Sequence, residues 1–403
     1  MKIKNYIPFI LIVSQIFGLF GGMLQVPRVL AIIFLPVLIK NFHKEILNNK
    51  IIVAFFFIYC LDCIISMLFL TENSVNAFKD FCYSLINCVI FIEIVNFSYN
   101  RKSAYLLKSW LIYLVLTIPI ALIEISYNIH LPNSKFGDDT LIGGVGTEKI
   151  YAAITYGNYN LYNYIISISF PFLIACLSVL KRKFIVFTII LLIFYIVLMN
   201  GSRGAFICLI ISLLIYIIFY SSNSINKKVV IIAVSSFLLT GGIYYIFQSD
   251  KFTYLQTRLL SKGLEDNTRE EMINIGLQMF IDSKFVGVGA SNFSDEAVLY
   301  TTSNVVAPHN IFIELISQYG LIVFLLFLAL LYYSFSVKHL FEKRKKNYLH
   351  YIFVTSLVIF PISHTINSVY LSNPYLWIFL ATLYSFSIQF KTAKIPYVTK
   401  QVR

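Results

Sequence analysis

Apolar runs of roughly 16–22 residues recur from one end of this chain to the other, the length a helix needs to cross hydrocarbon. No other feature narrows the fold so far. Inside a bilayer every backbone polar group needs a partner, and a helix supplies those partners within one segment. The expected spans are 6–24, 26–39, 51–70, 77–97, 109–128, 161–180, 184–199, 204–220, 229–247, 311–336, 349–370 and 375–389. The expectation is therefore an all-α polytopic membrane protein: one integral domain over 1–403, about twelve transmembrane helices and a long, partly helical external loop. Composition excludes a soluble alternative. The chain is 58% hydrophobic and 13% charged, whereas soluble domains carry about 25% charged residues. The first run follows Lys2 and Lys4 but lacks a small-x-small cleavage site, and another apolar run follows at once. It reads as a retained helix, not a secretory signal.

A net charge of +13 would suggest nucleic acid in a soluble protein; here its distribution says otherwise. With the N-terminus in the cytoplasm, 22 of the 32 Lys and Arg fall in cytoplasmic segments, and the other 10 are spread over far more residues on the outer side. That asymmetry is the positive-inside rule. It places both termini in the cytoplasm and gives the basic balance to topology, with the bilayer as partner and no nucleic acid. All six cysteines lie inside expected spans. Cys60-Leu-Asp-Cys63 has the spacing of a redox or metal pair, but sits mid-helix without a second pair or a nearby His, so it reads as packing.

Two connections are long, 130–160 and 248–310, and the charge argument puts both outside. Their shift toward Gly, Asn, Asp, Ser and Lys marks segments that meet water. In the larger, Thr268-Arg269-Glu270-Glu271 reads as a capping box opening a helix over about 269–282. One face of that helix gathers Met272, Ile273, Gly276, Met279 and Phe280, with Arg269 at its head. Phe285-Val-Gly-Val-Gly289 follows, a turn whose glycines allow close backbone approach. In the smaller loop, Asp138-Asp139 between glycines reads as a solvated turn, and no His/Cys cluster outside the membrane has metal-ligand spacing.

Three outer-face residues resist a bland explanation. Arg203 sits at the tip of a hairpin whose two helices, about 16–17 apolar residues each, are shorter than the roughly 30 Å hydrocarbon core. The tip should be drawn below the surface, where an ionisable group is a functional candidate unless it pairs with a carboxylate such as Glu124. Arg269 heads the apolar stripe of the loop helix. His309, beside Asn310, precedes the span at 311–336, and positive charge at a helix N-terminus disfavours imidazolium. A neutral ring there suits a general base or a simple cap; Glu314, one turn further in, could orient it or line a polar cavity. Asp62, Glu93 and His364 read as interhelical hydrogen-bonding groups. Arginines bind phosphate bidentately and stay charged. Two of them with a neutral His suit attack of a sugar hydroxyl on a carbon bearing a pyrophosphate leaving group. Nucleotide sugars are absent outside the cytoplasm, so the donor would be a lipid-linked glycan.

Three blocks then carry a resemblance: Asn200-Gly-Ser-Arg-Gly-Ala205, Thr268-Arg269 through Phe285-Val-Gly-Val-Gly289, and His309-Asn-Ile-Phe-Ile-Glu-Leu-Ile-Ser-Gln-Tyr-Gly320. In this order and topology, over roughly 184–336, the chain resembles the O-antigen ligase/polymerase superfamily. The resemblance implies a Wzy-type polymerase of O-antigen or capsule repeat units, or a ligase to lipid A–core, in the bacterial cytoplasmic (inner) membrane. It implies a metal-independent inverting transferase with no cofactor, an undecaprenyl-pyrophosphate-linked oligosaccharide as substrate, and a flippase and chain-length regulator as working partners. By motif, Arg203 and Arg269 would hold the pyrophosphate and His309 would activate the acceptor hydroxyl. Glu270-Glu271, directly after Arg269, departs from some members and would put acid near the phosphates. A transporter of lipid-linked sugars is the competing class, but such carriers show related halves, and none is visible here.

Overall fold

The structure, a computed structural model, describes residues 3–18, 25–43, 46, 49–70, 74–99, 101–130, 150–220, 267–301, 307–340, 347–366 and 371–392. Among them every regular element is a helix. In chain order these are α1 (Ile7–Ser14, with a 3-10 turn Gln15–Phe17), α2 (Val26–Lys40), α3 (Lys50–Ile65, with a π turn Ser66–Leu70), α4 (Ser74–Ser98) and α5 (Ser103–Tyr127). There follow α6 (Tyr159–Val179), α7 (Lys183–Met199), α8 (Arg203–Ile215, with a π turn Tyr216–Tyr220) and α9 (Asn267–Asp282). The rest are α10 (Phe293–Ala297), α11 (Ile311–Ser334), α12 (Val337–Leu340), α13 (Tyr348–Ser363) and α14 (Pro374–Thr392). Six described helices are long and apolar enough to cross a membrane: Lys50–Phe69, Val75–Ser98, Ser103–Tyr127, Tyr159–Val179, Arg203–Tyr220 and Ile311–Ser334. Ile7–Phe17, Lys183–Met199 and Tyr348–Ser363 are shorter apolar helices. The expected span 229–247 lies outside the described residues.

The bundle is ordered by burial. Helix α6 is its axis, buried from Leu161 to Cys176 and packed against α5, α7, α8 and α13. Helix α14 is buried almost throughout and lies against α4. An aromatic seam of Phe55, Phe56, Tyr59 and Trp377 joins α3 to α14. The lipid-facing helices α3, α7 and α8 instead show apolar side chains outward, such as Phe57, Phe184 and Ile207, as hydrocarbon permits and water does not.

Two expected helices are broken, each for a local reason. The span 6–24 ends as helix at Phe17, because Gly18 takes φ 48° and its α-carbon abuts the backbone of Thr155, where a Cβ would lie 2.4 Å from the carbonyl oxygen. Thr155 Oγ1 donates to the Ile16 carbonyl at this contact. In α11 the break is at Gly320, φ 71° and ψ −173°. A break inside a membrane helix frees backbone groups that must find partners, and the turn after α9 supplies them. Val288 and Gly289 amides donate to the carbonyls of Ser317 and Gln318 at 2.8 and 2.9 Å, and the Leu321 amide donates to the Phe285 carbonyl at 3.0 Å. A Cβ on Gly320 would sit 2.1 Å from the Val286 carbonyl oxygen, and one on Gly287 would sit 2.5 Å from that of Gln318. The glycines of the two sequence blocks are thus a single feature, a backbone clip between the turn after α9 and a broken helix.

Candidate functional site

One end of the bundle collects the connections that matter. Here α1, α5, α7 and α13 finish and α2, α6, α8, α11 and α14 begin, tied by Gly18 against Thr155, Arg28 to the Ser372 carbonyl, Glu124 to Ile154, and Gly204 against Ile366. The α7–α8 tip is held by Asn200. Its amide oxygen accepts from the Ala152 amide at 2.6 Å, and its Nδ2 donates to the Ala152 carbonyl at 3.0 Å and to Asn163 Oδ1 at 2.8 Å. Asn200 thus mimics a peptide, pairing with both backbone groups of one buried residue. Gly201, at φ 63°, then turns the chain into α8. Ser202 is the N-cap residue and Arg203 the first helical residue.

The segment 150–156 against which the tip is braced is buried and irregular, so its backbone groups need partners. Glu124 accepts from the amides of Ala153 and Ile154 at 2.8 and 2.6 Å, and its other oxygen lies 3.8 Å from His130 Nδ1. Glu124 thus braces the segment against which the Arg203 tip rests. Tyr156 donates to the Gln15 carbonyl at 2.7 Å and meets Tyr113 at 2.6 Å. Burial holds the Tyr156 phenol well above its ordinary range, so it acts as a neutral hydrogen-bonding group.

Arg203 and Arg269, 66 positions apart in sequence, line one pocket with Asn160, Gly201, Ser202, Gly204 and Ile366. Asn160 belongs to the first turn of α6, whose N-cap Asn158 accepts from the Asn160 amide at 2.7 Å. The pocket therefore receives two helix N-termini, α6 and α8, and two guanidinium groups. Unsatisfied amides and the helix dipole favour an anion at such ends, and the arginines add fixed charge. Neither Glu270 nor Glu271 lines it; both are exposed, and Glu271 accepts from Thr301. The acids beside Arg269 thus sit outside the pocket wall.

His309 is not among the residues lining that pocket. It takes φ 47° directly before α11, and the cap is Asn310, whose Oδ1 accepts from Phe312 and Ile313 amides at 2.8 and 3.4 Å. The half-buried His309 stands directly before that cap. Helices α9 and α11 run alongside each other: Gly276 abuts Ile313, where a Cβ would lie 2.3 Å from Cγ2, and Val288 pairs with Ser317 further on. Both advance in the same direction, so Arg269 and His309 lie at the same end of the pair. Glu314 is buried and accepts from the Leu371 amide at 3.2 Å, so it ties α11 to the connection that carries Ile366. His364, read as an interhelical partner, is that: Tyr164 lies 3.1 Å from its Nε2 and the Phe360 carbonyl 2.7 Å from its Nδ1. Asp138-Asp139 lie outside the described residues. Sequence reading missed Asn160, Asn200 and Ile366; the Asn158-Tyr-Asn160 triplet before an apolar run is a helix-start signature that points to the first.

The class so defined is a polytopic helical membrane protein with a pocket that joins two arginines to two helix N-termini, a set whose chemistry suits an anionic group. Residues 187–328 match the family Wzy_C, O-Antigen ligase. The chain is also 27% identical over 344 residues to the teichuronic acid biosynthesis protein TuaE of Bacillus subtilis (strain 168), covering 81% of this chain and 69% of that protein. Both comparisons point the same way as the resemblance to the O-antigen ligase/polymerase superfamily that the three sequence blocks carry.

Proposed function

We propose that the chain transfers glycans from an undecaprenyl-pyrophosphate carrier and polymerises oligosaccharide repeat units on the outer side of the cytoplasmic membrane. The observation that carries this reading is the convergence of Arg203 and Arg269 on one pocket. There the departing pyrophosphate would meet both guanidiniums and the N-terminal turns of α6 and α8. In the step, an acceptor hydroxyl oxygen bonds to the donor's anomeric carbon and the bond from that carbon to the pyrophosphate oxygen breaks. The electron pair leaves on the pyrophosphate, and His309 takes the hydroxyl proton. The work asked of the arginines is electrostatic, and removing one such donor typically costs about 10²–10³-fold in rate. The orientation is supported by the opposite end of the bundle, which carries Lys40, Lys50, Arg101, Lys102, Lys181, Arg182, Lys183 and Lys338, as a cytoplasmic face does.

Ligation to a lipid A–core acceptor is the second reading, favoured by the description of the matched family. The relative is named for teichuronic acid biosynthesis; nothing in this chain specifies a lipid A–core acceptor, and the polymerase is our choice. Loss of a polymerase leaves single repeat units on the surface; loss of a ligase leaves none. The direct test is purified protein in detergent with lipid-linked repeat units. The expected result is longer chains and released undecaprenyl pyrophosphate. If no chains grow and Arg203→Ala alters nothing, the transferase reading fails.

A further inference from the structure

The inner face of α9 is used: Met272, Ile275 and Met279 are buried with Phe293, Ala297 and Ile313. Its outer ridge changes character along its length. Glu270 and Asn274 are exposed and polar, whereas Leu277 and Ile281, further along the same ridge, are exposed and apolar. The ridge continues into the clip, where Phe285 and Val286 are 53% and 61% exposed. Phe285 holds φ 69° and Lys284 φ 55°, left-handed conformations that bulky side chains rarely adopt. A water-facing turn would use Gly or Asn there; this one spends strain to present an aromatic ring. The same clip delivers the strip to Leu321 and Ile322, which point outward from α11, Ile322 at 66% exposure. The Leu321 amide is bonded to the Phe285 carbonyl, so the strip is continuous with the lipid-facing side of a membrane helix.

We propose that Leu277, Ile281, Phe285 and Val286 are seated in the acyl chains of the outer leaflet, making the C-terminal half of α9 a monotopic anchor. A helix inclined into one leaflet partitions as interfacial helices do, its apolar end among the acyl chains and its polar end among the headgroups. The polar half of the ridge and the exposed Lys284 meet the headgroups. Arg269, at the other end of the same rigid helix, is thereby held at the level where a lipid-linked pyrophosphate lies. That last consequence, and the choice of leaflet, rest on the function proposed above; the lipid contact does not.

The test uses tryptophan as reporter, because the two native tryptophans, Trp110 and Trp377, are fully buried. Full-length Ile281→Trp and Val286→Trp variants are reconstituted in phosphatidylcholine and phosphatidylglycerol vesicles, with Asn274→Trp as the polar control. The expected result is a blue-shifted added emission at 281 and 286, lost when lipids brominated near the headgroup are used and insensitive to iodide. Asn274→Trp should respond the opposite way. Iodide quenching at 281 and 286 with no effect of brominated lipid overturns the proposal. So does release of the lipid quenching when undecaprenyl phosphate is added, which would give the strip to the donor's tail. Shielding from both quenchers in a dimeric protein would give it to a second copy. Retained activity of the reporter variants shows that they fold. An inactive parent protein that nevertheless gives the expected quenching would sink the enzymatic reading and leave the anchor standing.

Discussion

Arg203 and Asn200 stand three residues apart and fail in different ways when removed. Arg203→Ala takes a guanidinium from the pocket wall but leaves the tip anchored by Asn200. The expected outcome is a drop of about 10²–10³-fold in kcat with the melting temperature unchanged, read in the polymerisation assay and by a thermal scan in detergent. Arg203→Lys keeps the charge and loses the bidentate fork, so its rate should fall between the two. Asn200→Ala leaves the buried amide and carbonyl of Ala152 without their side-chain partner, which costs about 1–3 kcal/mol for each group left unmade. Here the melting temperature should fall first, and activity with it. Arg203 was legible as a charged tip between two short helices. Asn200 was visible as a letter in the same block but not as a brace, because its partner lies 48 positions away.

At the scale of elements, the clip between the α9 turn and α11 joins two motifs that look unrelated in sequence. Gly320→Ala and Gly287→Ala each add a Cβ where backbone oxygen already lies 2.1 and 2.5 Å away, at φ 71° and 91°. Both should destabilise by more than about 2 kcal/mol, combining a clash with an unfavourable backbone conformation. Limited proteolysis should then find the 283–289 turn newly exposed, and pyrophosphate release should slow as Arg269 loses its support. A Gly320→Ala protein with wild-type melting and activity would show that the clip is dispensable. The helix over about 269–282 and its buried face were readable from periodicity, since Met272 and Met279 recur at helical spacing and Arg269 heads the stripe. Glu271 spends its carboxylate on Thr301, a partner 30 positions away that no local rule can weigh.

For the molecule as a whole, topology is the quantity at stake. If the end holding Arg203, Arg269 and His309 faces outward, a cysteine at Thr301 should react with a membrane-impermeant maleimide in intact cells. A cysteine at Lys181, in the basic turn at the opposite end, should react only after the membrane is opened. The reverse pattern would place the pocket in the cytoplasm, where nucleotide sugars are available, and remove the argument for a lipid-linked donor. The native cysteines lie within or beside apolar helices and give the background for the labelling.

Hydropathy and charge, read along the chain, suffice to make it a bundle of membrane helices whose basic residues gather in a set of short turns. Both follow from composition summed over segments, because hydrocarbon length and the cost of moving charge through it act on each segment separately. The sequence also offered Arg203, Arg269 and His309 as candidates, each from its own neighbourhood. It takes the folded chain to bring the two arginines to one pocket and to set Glu124 against the segment behind it. Only there does Asn310, not His309, cap the helix, and only there do the glycines of two distant blocks interlock. These depend on which backbone groups a broken helix or a buried irregular segment leaves in need of a partner. That requirement is met by whatever residue the fold brings within about 3 Å, and sequence distance carries no information about it.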